Sequence, residues 1–117
     1  MNSGKIETEV VRGVTVVTFT DDTMMEDNVR DTHPEIDALI EPGIAVLWDL
    51  SGMKYVSSAF IGMFVSTMKK IRAAEGRFAL CELSPFVTEV FAPLPHHSPD
   101  LFFTDRSAAI EALAGDE

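Results

Sequence analysis

A strand–helix–strand pattern between Val46 and Leu83 constrains the fold more than any other part of this sequence. Residues 44–50 and 77–83 are mostly apolar, and runs of that kind are typical of strands buried on both faces of a sheet. Between them, residues 59–74 carry apolar side chains at helical spacing. Buried strands that are joined by a helix lie parallel with a right-handed crossover. The sequence therefore predicts an α/β fold.

The opening of the chain adds a hairpin to this pattern. Residues 5–12 and 14–19 are predicted to pair around a tight turn at Arg12-Gly13. Polar and apolar residues alternate in the first strand, which is typical of a strand at the edge of a sheet with one face in water. With the segments that follow, the predicted order is β-β-α-β-α-β-α-β-α, and the hairpin makes the sheet mixed.

Local signals predict how the helices begin and end. Pro34 interrupts the first helical region, so that helix is either kinked or restarted with Thr32 as its cap. We expect a break near Thr32 and helix from residue 33 onward. Gly76 is expected to end the central helix in the left-handed conformation. Ser84 and Asp105 are expected to cap the last two helices.

Composition and charge exclude several classes of function. The net charge of -10 repels phosphate backbones, so we expect no nucleic-acid partner. No apolar run approaches the ~20 residues that a membrane span needs. The first residues contain no apolar signal region. We therefore expect a cytoplasmic protein without a membrane partner.

The sequence contains no convincing constellation for catalysis or metal binding. Cys81 is the only cysteine, and its apolar neighbours predict an inert core residue. His96 and His97 are adjacent in a proline-rich loop, and that spacing does not direct two ligands at one ion. No nucleophile has a nearby base and no phosphate-binding loop is present. We therefore expect no enzyme activity, no cofactor and no metal.

The pair Ser57-Ser58 falls where the central helix begins. A hydroxyl in this place can cap the helix, which is worth ~1 kcal/mol. It can also accept a phosphoryl group, which adds about -1.5 to -2 charges. The helix dipole would tolerate that charge, whereas an interface that buries it would have to desolvate a dianion. Both roles stay open at this point.

Two motifs in order give the chain a resemblance to a known family. Asp49-Leu50-Ser51-Gly52 follows a buried strand, and residues 56–62 read Val-Ser-Ser-Ala-Phe-Ile-Gly. This combination resembles STAS domains, the group that contains the anti-sigma factor antagonists. The resemblance covers residues 5–113 and leaves residues 114–117 as a short frayed tail. It implies a single domain with a mixed sheet of four or five strands and helices packed mainly on one side.

The resemblance also implies a function. Such a domain binds an anti-sigma factor, often a serine kinase of the histidine-kinase ATPase superfamily, and so frees the sigma factor. The kinase phosphorylates a serine at the start of the second helix, which matches Ser58, with Ser57 as the second choice. Phosphorylated members commonly have Asp where this chain has Ser57. They commonly have Gly where this chain has Phe60, so we expect Phe60 to alter the surface that a kinase approaches.

Two further residues are assigned to the partner surface together with Ser57 and Ser58. Met63 falls beside Ser66 and Lys70 on a helical wheel, away from the apolar stripe, and an exposed methionine suits adaptable binding. A partly buried position at the rim is the alternative for Met63. Asp22 follows the second strand, where the family often has an aspartate at the same end of the sheet. A cap for the first helix is the alternative for Asp22.

Three interpretations of the function stay open from sequence. The first is a switched antagonist with a protein partner, as a monomer or weak dimer. The second is a STAS scaffold that is never phosphorylated, in which Ser57-Ser58 acts only as a helix cap. The third is a module that binds a small ligand or a nucleotide. The fold hosts several roles, so the choice depends on the site.

Overall fold

The fold is a mixed sheet with helices on both faces, described by a computed structural model for residues 6–20, 22–91 and 101–114. In chain order the elements are β1 Ile6–Val11, β2 Val14–Phe19, β3 Thr23–Met24, α1 Glu26–Asp37, β4 Ala45–Asp49, β5 Tyr55–Val56, α2 Ser58–Ala73, β6 Arg77–Cys81, α3 Pro85–Phe91, β7 Phe102–Phe103 and α4 Arg106–Ala114. Five strands form one sheet in the order β1-β2-β4-β6-β7. Only β1 and β2 are antiparallel in it. The predicted α/β class and mixed sheet are confirmed.

The predicted hairpin is confirmed, and it places β1 at the edge of the sheet. Arg12 and Gly13 both have positive φ, 53° and 81°, which is the conformation that a two-residue turn of type I′ needs. Glu7 and Glu9 are exposed on β1, as the alternation predicted. Val10 is also exposed, at 70%, whereas Ile6 at the start of the same strand is buried in the core.

Two apolar layers hold the helices against the sheet. On one face α1, α2 and α3 pack around Trp48, whose ring lies 5.0 Å from Phe19, 5.6 Å from Phe60 and 5.1 Å from Phe78. On the other face α4 packs on a smaller layer that includes Leu47. Every residue of β4 is buried, because both faces of this central strand are covered. The helices thus lie mainly on one side, as the family resemblance implies.

The predicted break in the first helix is wrong. Helix α1 runs through Pro34 without interruption, and Thr32 is a buried residue inside it rather than a cap. Proline removes one backbone donor, but the Pro34 carbonyl still accepts a bond from the Ala38 N–H at 3.0 Å. Val29 and Ile36 are buried in the same apolar layer on either side of the proline. Their burial offsets the cost of the lost bond.

The glycine after α2 is needed for a different reason from the one predicted. Glu75 has the left-handed conformation, with φ of 60°, whereas Gly76 does not have a positive φ. A Cβ at Gly76 would overlap the carbonyl oxygen of Ile44. That oxygen accepts a bond from the Arg77 N–H at 2.8 Å as β6 begins. Close packing of the two backbones therefore requires glycine here.

The last two helices begin as predicted. The Ser84 hydroxyl accepts a bond from the Val87 N–H at 3.3 Å, and the Asp105 carboxylate accepts one from the Ala108 N–H at 2.8 Å. Both helices are short, and α2 has only 16 residues. In the described ranges, no helix combines the length and the apolar character that crossing a bilayer requires.

Candidate partner-binding surface at the start of α2

A second, two-stranded sheet brings distant parts of the chain together beside α2. Strands β3 and β5 pair in parallel. Just before them, the Asp22 carbonyl accepts bonds from the N–H groups of Lys54 at 2.7 Å and Tyr55 at 3.1 Å. Just after them, the Ser57 N–H donates to the Met24 carbonyl at 3.0 Å. Strands of two residues have no readable pattern, and sequence analysis did not predict β3.

Ser57 is the residue that caps α2. It has extended backbone angles, φ -98° and ψ 172°, and its hydroxyl oxygen accepts a bond from the Phe60 N–H at 3.4 Å. Its carbonyl accepts a bond from the Ile61 N–H at 3.3 Å, which begins the helical ladder. The capping role that sequence left open between two serines therefore belongs to Ser57.

Ser58 is the first residue of α2, and it is exposed. Its hydroxyl has no hydrogen-bond partner among residues 6–20, 22–91 and 101–114. The first N–H groups of a helix lack acceptors within the helix, and the dipole places a partial positive charge there. Ser58 thus offers a hydroxyl that the fold does not use, at a position that tolerates negative charge.

Asp22 is exposed beside this site, and it does not cap α1. Helix α1 begins at Glu26, and Met25 occupies its cap position, with the Met25 N–H donating to Asn28 at 3.0 Å. The Asp22 carboxylate accepts a bond from the Thr23 hydroxyl at 3.2 Å. The alternative role of Asp22 as a helix cap is therefore wrong. Its role in partner binding stays a prediction.

The predictions for Met63 and Phe60 are wrong. Met63 is 1% exposed and Phe60 is fully buried, so neither side chain can contact a partner. A helical wheel of α2 places the apolar Ile61 and Val65 in the stripe that faces the core, but in the structure both are only partly buried at its margin. The face that α2 buries comprises Phe60, Met63, Phe64, Thr67, Met68 and Ile71.

Gly62 lies one turn after Ser58, on the open face of the helix. It is exposed, and no atom lies within 4 Å of the position that a Cβ would occupy. Glycine inside a helix costs ~1 kcal/mol relative to alanine. Packing against the described residues therefore does not explain why glycine occupies this position.

Exposed apolar side chains border Ser58. Tyr55 and Phe86 are stacked, with ring centroids 5.3 Å apart and planes inclined by 19°, and both are exposed. Met25 is exposed directly after β3, the strand that pairs with β5. We call the surface formed by Met25, Tyr55, Ser58, Gly62 and Phe86 the open surface. Exposed aromatic and methionine side chains are enriched in protein interfaces.

On the other face of the sheet, Arg106 forms a cluster that sequence analysis missed. The buried Asp49 accepts bonds from the Ser51 N–H and from Arg106 Nε, both at 2.9 Å. Arg106 also donates to Glu9 at 3.0 Å and to the Thr18 hydroxyl at 2.9 Å. Burial opposes its charge, but the bonds to Asp49 and Glu9 raise the pKa of Arg106 above its ordinary value. The cluster holds the loop that leads to Ser58.

Cys81 is a buried thiol in the apolar layer beneath α4. Burial, and then the charges of Asp49 and Glu82, raise the pKa of the Cys81 thiol to about 12, so it is protonated at neutral pH as an inert core residue would be. No group of three or more potential metal ligands occurs in the described ranges. His96 and His97 lie outside the described residues.

Comparison with known sequences decides the family. The sequence profile of the STAS domain matches residues 5–106 of this chain. The chain belongs to the STAS domain family. Among curated proteins, BtrV of Bordetella bronchiseptica, whose name places it among the anti-sigma factor antagonists, is 35% identical over 65 residues. That match covers 55% of this STAS chain and 56% of BtrV, so it spans little more than half of the relative.

Solved structures agree with this assignment. An anti-sigma factor antagonist STAS domain protein from Planctomyces limnophilus has a TM-score of 0.82 and 27% identity over 92% of this chain and 96% of its own. The antagonist SpoIIAA in its unphosphorylated form has a TM-score of 0.70 and 19% identity, and the match covers 94% of this chain and 98% of the SpoIIAA chain. SpoIIAA of Bacillus has also been solved in the phosphorylated form, with a TM-score of 0.69 and 20% identity. That match covers 92% of this chain and 97% of the SpoIIAA chain. At these identities, the two SpoIIAA structures establish the shared fold.

Proposed function

We propose that this STAS domain is an anti-sigma factor antagonist that binds an anti-sigma factor with serine-kinase activity through the open surface. Phosphorylation of Ser58 by that partner ends the binding. The observation that carries the proposal is that the adjacent residues Ser57 and Ser58 have different roles in the fold. Ser57 caps α2, and this leaves the exposed Ser58 hydroxyl free. The names of BtrV and of the structural neighbours support the class of partner.

The open surface supports binding to a protein. Met25, Tyr55 and Phe86 are exposed apolar side chains, and Gly62 permits close approach of a second backbone. Asp22 lies beside them, and we propose that it contributes a polar contact at the rim. Desolvated aromatic residues surrounded by polar groups account for much of the binding free energy in protein interfaces.

The proposed switch acts on binding rather than on the fold. The kinase would transfer the γ-phosphoryl group of ATP to the Ser58 oxygen, with release of ADP and of the hydroxyl proton. The phosphate would lie at the positive end of the α2 dipole, where it is tolerated. A partner that covers Ser58 would have to desolvate two negative charges beside apolar side chains. The free domain stays folded while the complex dissociates.

The proposed function also has consequences for the chemistry and the location of the protein. It assigns no catalysis to this chain, since the phosphoryl transfer is done by the partner. It also implies a cytoplasmic location, because a sigma factor and its regulators act on RNA polymerase in that compartment.

The test is phosphosite mapping followed by partner capture. Protein isolated from its host is analysed by intact-mass spectrometry with and without phosphatase, and the modified residue is located by peptide sequencing. We expect phosphate on Ser58. Tagged wild type, Ser58→Ala and Ser58→Asp are then used to capture partners from host extract. We expect the alanine variant to retain a kinase-type anti-sigma factor and the aspartate variant to lose it.

Ser107 provides the matched control for this experiment. It is exposed in the first turn of α4, which packs on the opposite face of the sheet. Ser107→Asp therefore adds the same charge at a helix start that is separated from the open surface by the sheet. We expect Ser107→Asp to bind like wild type. Binding that persists in Ser58→Asp, or phosphate found only at another residue, would contradict the switch. Binding with no phosphate under any growth condition would support a constitutive scaffold.

A further inference from the structure

A groove lies at the far end of α2 from the open surface. Its volume is about 450 Å³, within the range of ~300–1,000 Å³ that is usual for small-molecule sites. It lies beside the first residues of β6, where α2, the end strand β7 and α4 come together. The side chains that line it include Arg72, Arg77, Phe78, Leu101, Phe103 and Ala112.

Two arginines at this groove have no partner among the residues that the structure describes. Arg72 and Arg77 are exposed, and neither guanidinium makes an ion pair or a hydrogen bond to the residues that the structure describes. The chain has 19 acidic and 9 basic residues, so carboxylates for pairing are plentiful. By contrast, Arg106 contacts two carboxylates and Arg30 contacts one. Two adjacent unpaired guanidinium groups make this groove locally cationic in an acidic protein.

The helix dipole accounts for only one of these arginines. Arg72 lies in the last turn of α2, where a cation is stabilised by the negative end of the helix. Arg77 is the first residue of β6 and gains nothing comparable from a helix. A requirement for positive charge at the groove itself accounts for both residues.

The floor of the groove is apolar, and part of its backbone is open. Phe78 and Leu101 are buried at 7% and 5% exposure, and Phe103 is half-buried. Strand β7 pairs only with Leu80 and Cys81. Within the described ranges, the outer edge of residues 77–79 therefore has no strand beside it. The groove combines aromatic surface, backbone hydrogen-bonding groups and two guanidinium forks.

We propose that this groove binds a small organic anion, in which an aromatic ring carries a phosphate or a carboxylate. The ring would lie at the open edge of β6, between Phe78 on one face of the sheet and Phe103 on the other. The anionic group would be held by Arg72 and Arg77, because a guanidinium donates two parallel bonds to such oxygens. Apolar side chains at the sheet edge and two guanidinium groups beside them match the two parts of this class of ligand. The proposal does not depend on the function proposed for the open surface.

The test is a titration with 1-naphthyl phosphate that is followed by amide chemical shifts of the full chain. We expect saturable shifts in residues 72–78 and 101–103, with residues 55–62 unchanged. Inorganic phosphate and 1-naphthol, each representing half of the probe, should bind more weakly than the whole. The double variant Arg72→Gln/Arg77→Gln should raise Kd by about tenfold, since it removes two charge-assisted contacts at an exposed site.

The matched control is Arg12→Gln/Arg30→Gln, which removes the same charge at exposed positions away from the groove. We expect its Kd to stay within about twofold of wild type, since distant exposed charges are screened. Each variant is compared with wild type by its amide spectrum, so that loss of the fold is recognised. The proposal is overturned by an absence of saturable shifts, by shifts confined to the open surface, by 1-naphthol binding as tightly as its phosphate, or by equal Kd values for the two double variants.

Discussion

The open surface and the Arg106 cluster lie at the same end of the sheet, but they use polar groups in opposite ways. In the cluster, the Arg106 guanidinium donates to Asp49, Glu9 and Thr18, so these polar groups are paired within the fold. At the open surface, the Ser58 hydroxyl has no such partner among the described residues. The comparison indicates which polar residues maintain the structure and which are available to another molecule. Four comparisons between variants test it.

The largest effect is expected for Met63→Glu, at the boundary of the open surface. A carboxylate in this buried position would lack a partner, so we expect a loss of more than about 4 kcal/mol in the free energy of unfolding, measured in urea. Gly62→Glu is the control, because Gly62 precedes Met63 in the helix but is exposed. We expect this variant to change the free energy of unfolding by no more than about 1 kcal/mol. Similar stabilities for the two variants would mean that α2 presents a different face to the core.

The next effect is expected for Arg106→Ala in the cluster. The substitution would leave Asp49, which is 5% exposed, without its cation. We expect the free energy of unfolding to fall by about 2 to 3 kcal/mol. This is less than the cost of breaking a fully buried pair, because Arg106 is partly exposed. Arg30→Ala is the control, since its ion pair with Asp27 is exposed, and we expect a change within about 0.5 kcal/mol. If Arg106→Ala and Arg30→Ala lowered the free energy of unfolding equally, the Arg106 cluster would contribute no more to stability than an exposed ion pair.

A smaller effect separates the two adjacent serines. Ser57→Ala removes the cap of α2, and we expect a loss of ~1 kcal/mol. Ser58→Ala should change the free energy of unfolding by no more than a few tenths of a kcal/mol, because its hydroxyl does not bond within the described fold. Thermal unfolding of both variants is sufficient to check this. The reverse order would assign the cap to Ser58 and argue against its role as a free acceptor of phosphate.

The smallest expected effect has the opposite sign. Gly62→Ala should raise the free energy of unfolding by about 0.5 to 1 kcal/mol, because alanine favours the helix and its Cβ meets no atom. The same change should weaken partner binding in the capture assay, because the added methyl group lies on the open surface. Stabilisation with unchanged binding would show that the partner does not approach this turn.

Sequence reasoning succeeded where a pattern was long or a local bond was strong. The buried runs of β4 and β6 and the caps at Ser84 and Asp105 were predicted in this way. It failed at Pro34, because burial of residues on both sides of the proline offsets a cost that a local rule treats as decisive. It also failed at Gly76, where the cause is contact with Ile44, a residue far away in sequence.

The candidate site was predicted in its position but not in its details. The start of α2 and its serines are local features, so the motif indicated them. The prediction for Met63 was wrong because a helical wheel shows which side chains share a face but not how much of the helix surface the neighbouring elements cover. Arg106 contacts Glu9 and Asp49 across 97 and 57 residues, and one sequence gives no sign of such a contact. Tyr55 and Phe86 likewise meet only in the folded chain.

The edge strand β1 has a consequence for solubility at high concentration. Its outer side pairs with no strand in the described part of the chain, and an open edge of six residues is a template for aggregation. Glu7 and Glu9 are exposed along it, and an identical strand from another copy would bring these charges close together. Charge repulsion between these glutamates therefore opposes edge-to-edge pairing of two copies of the domain.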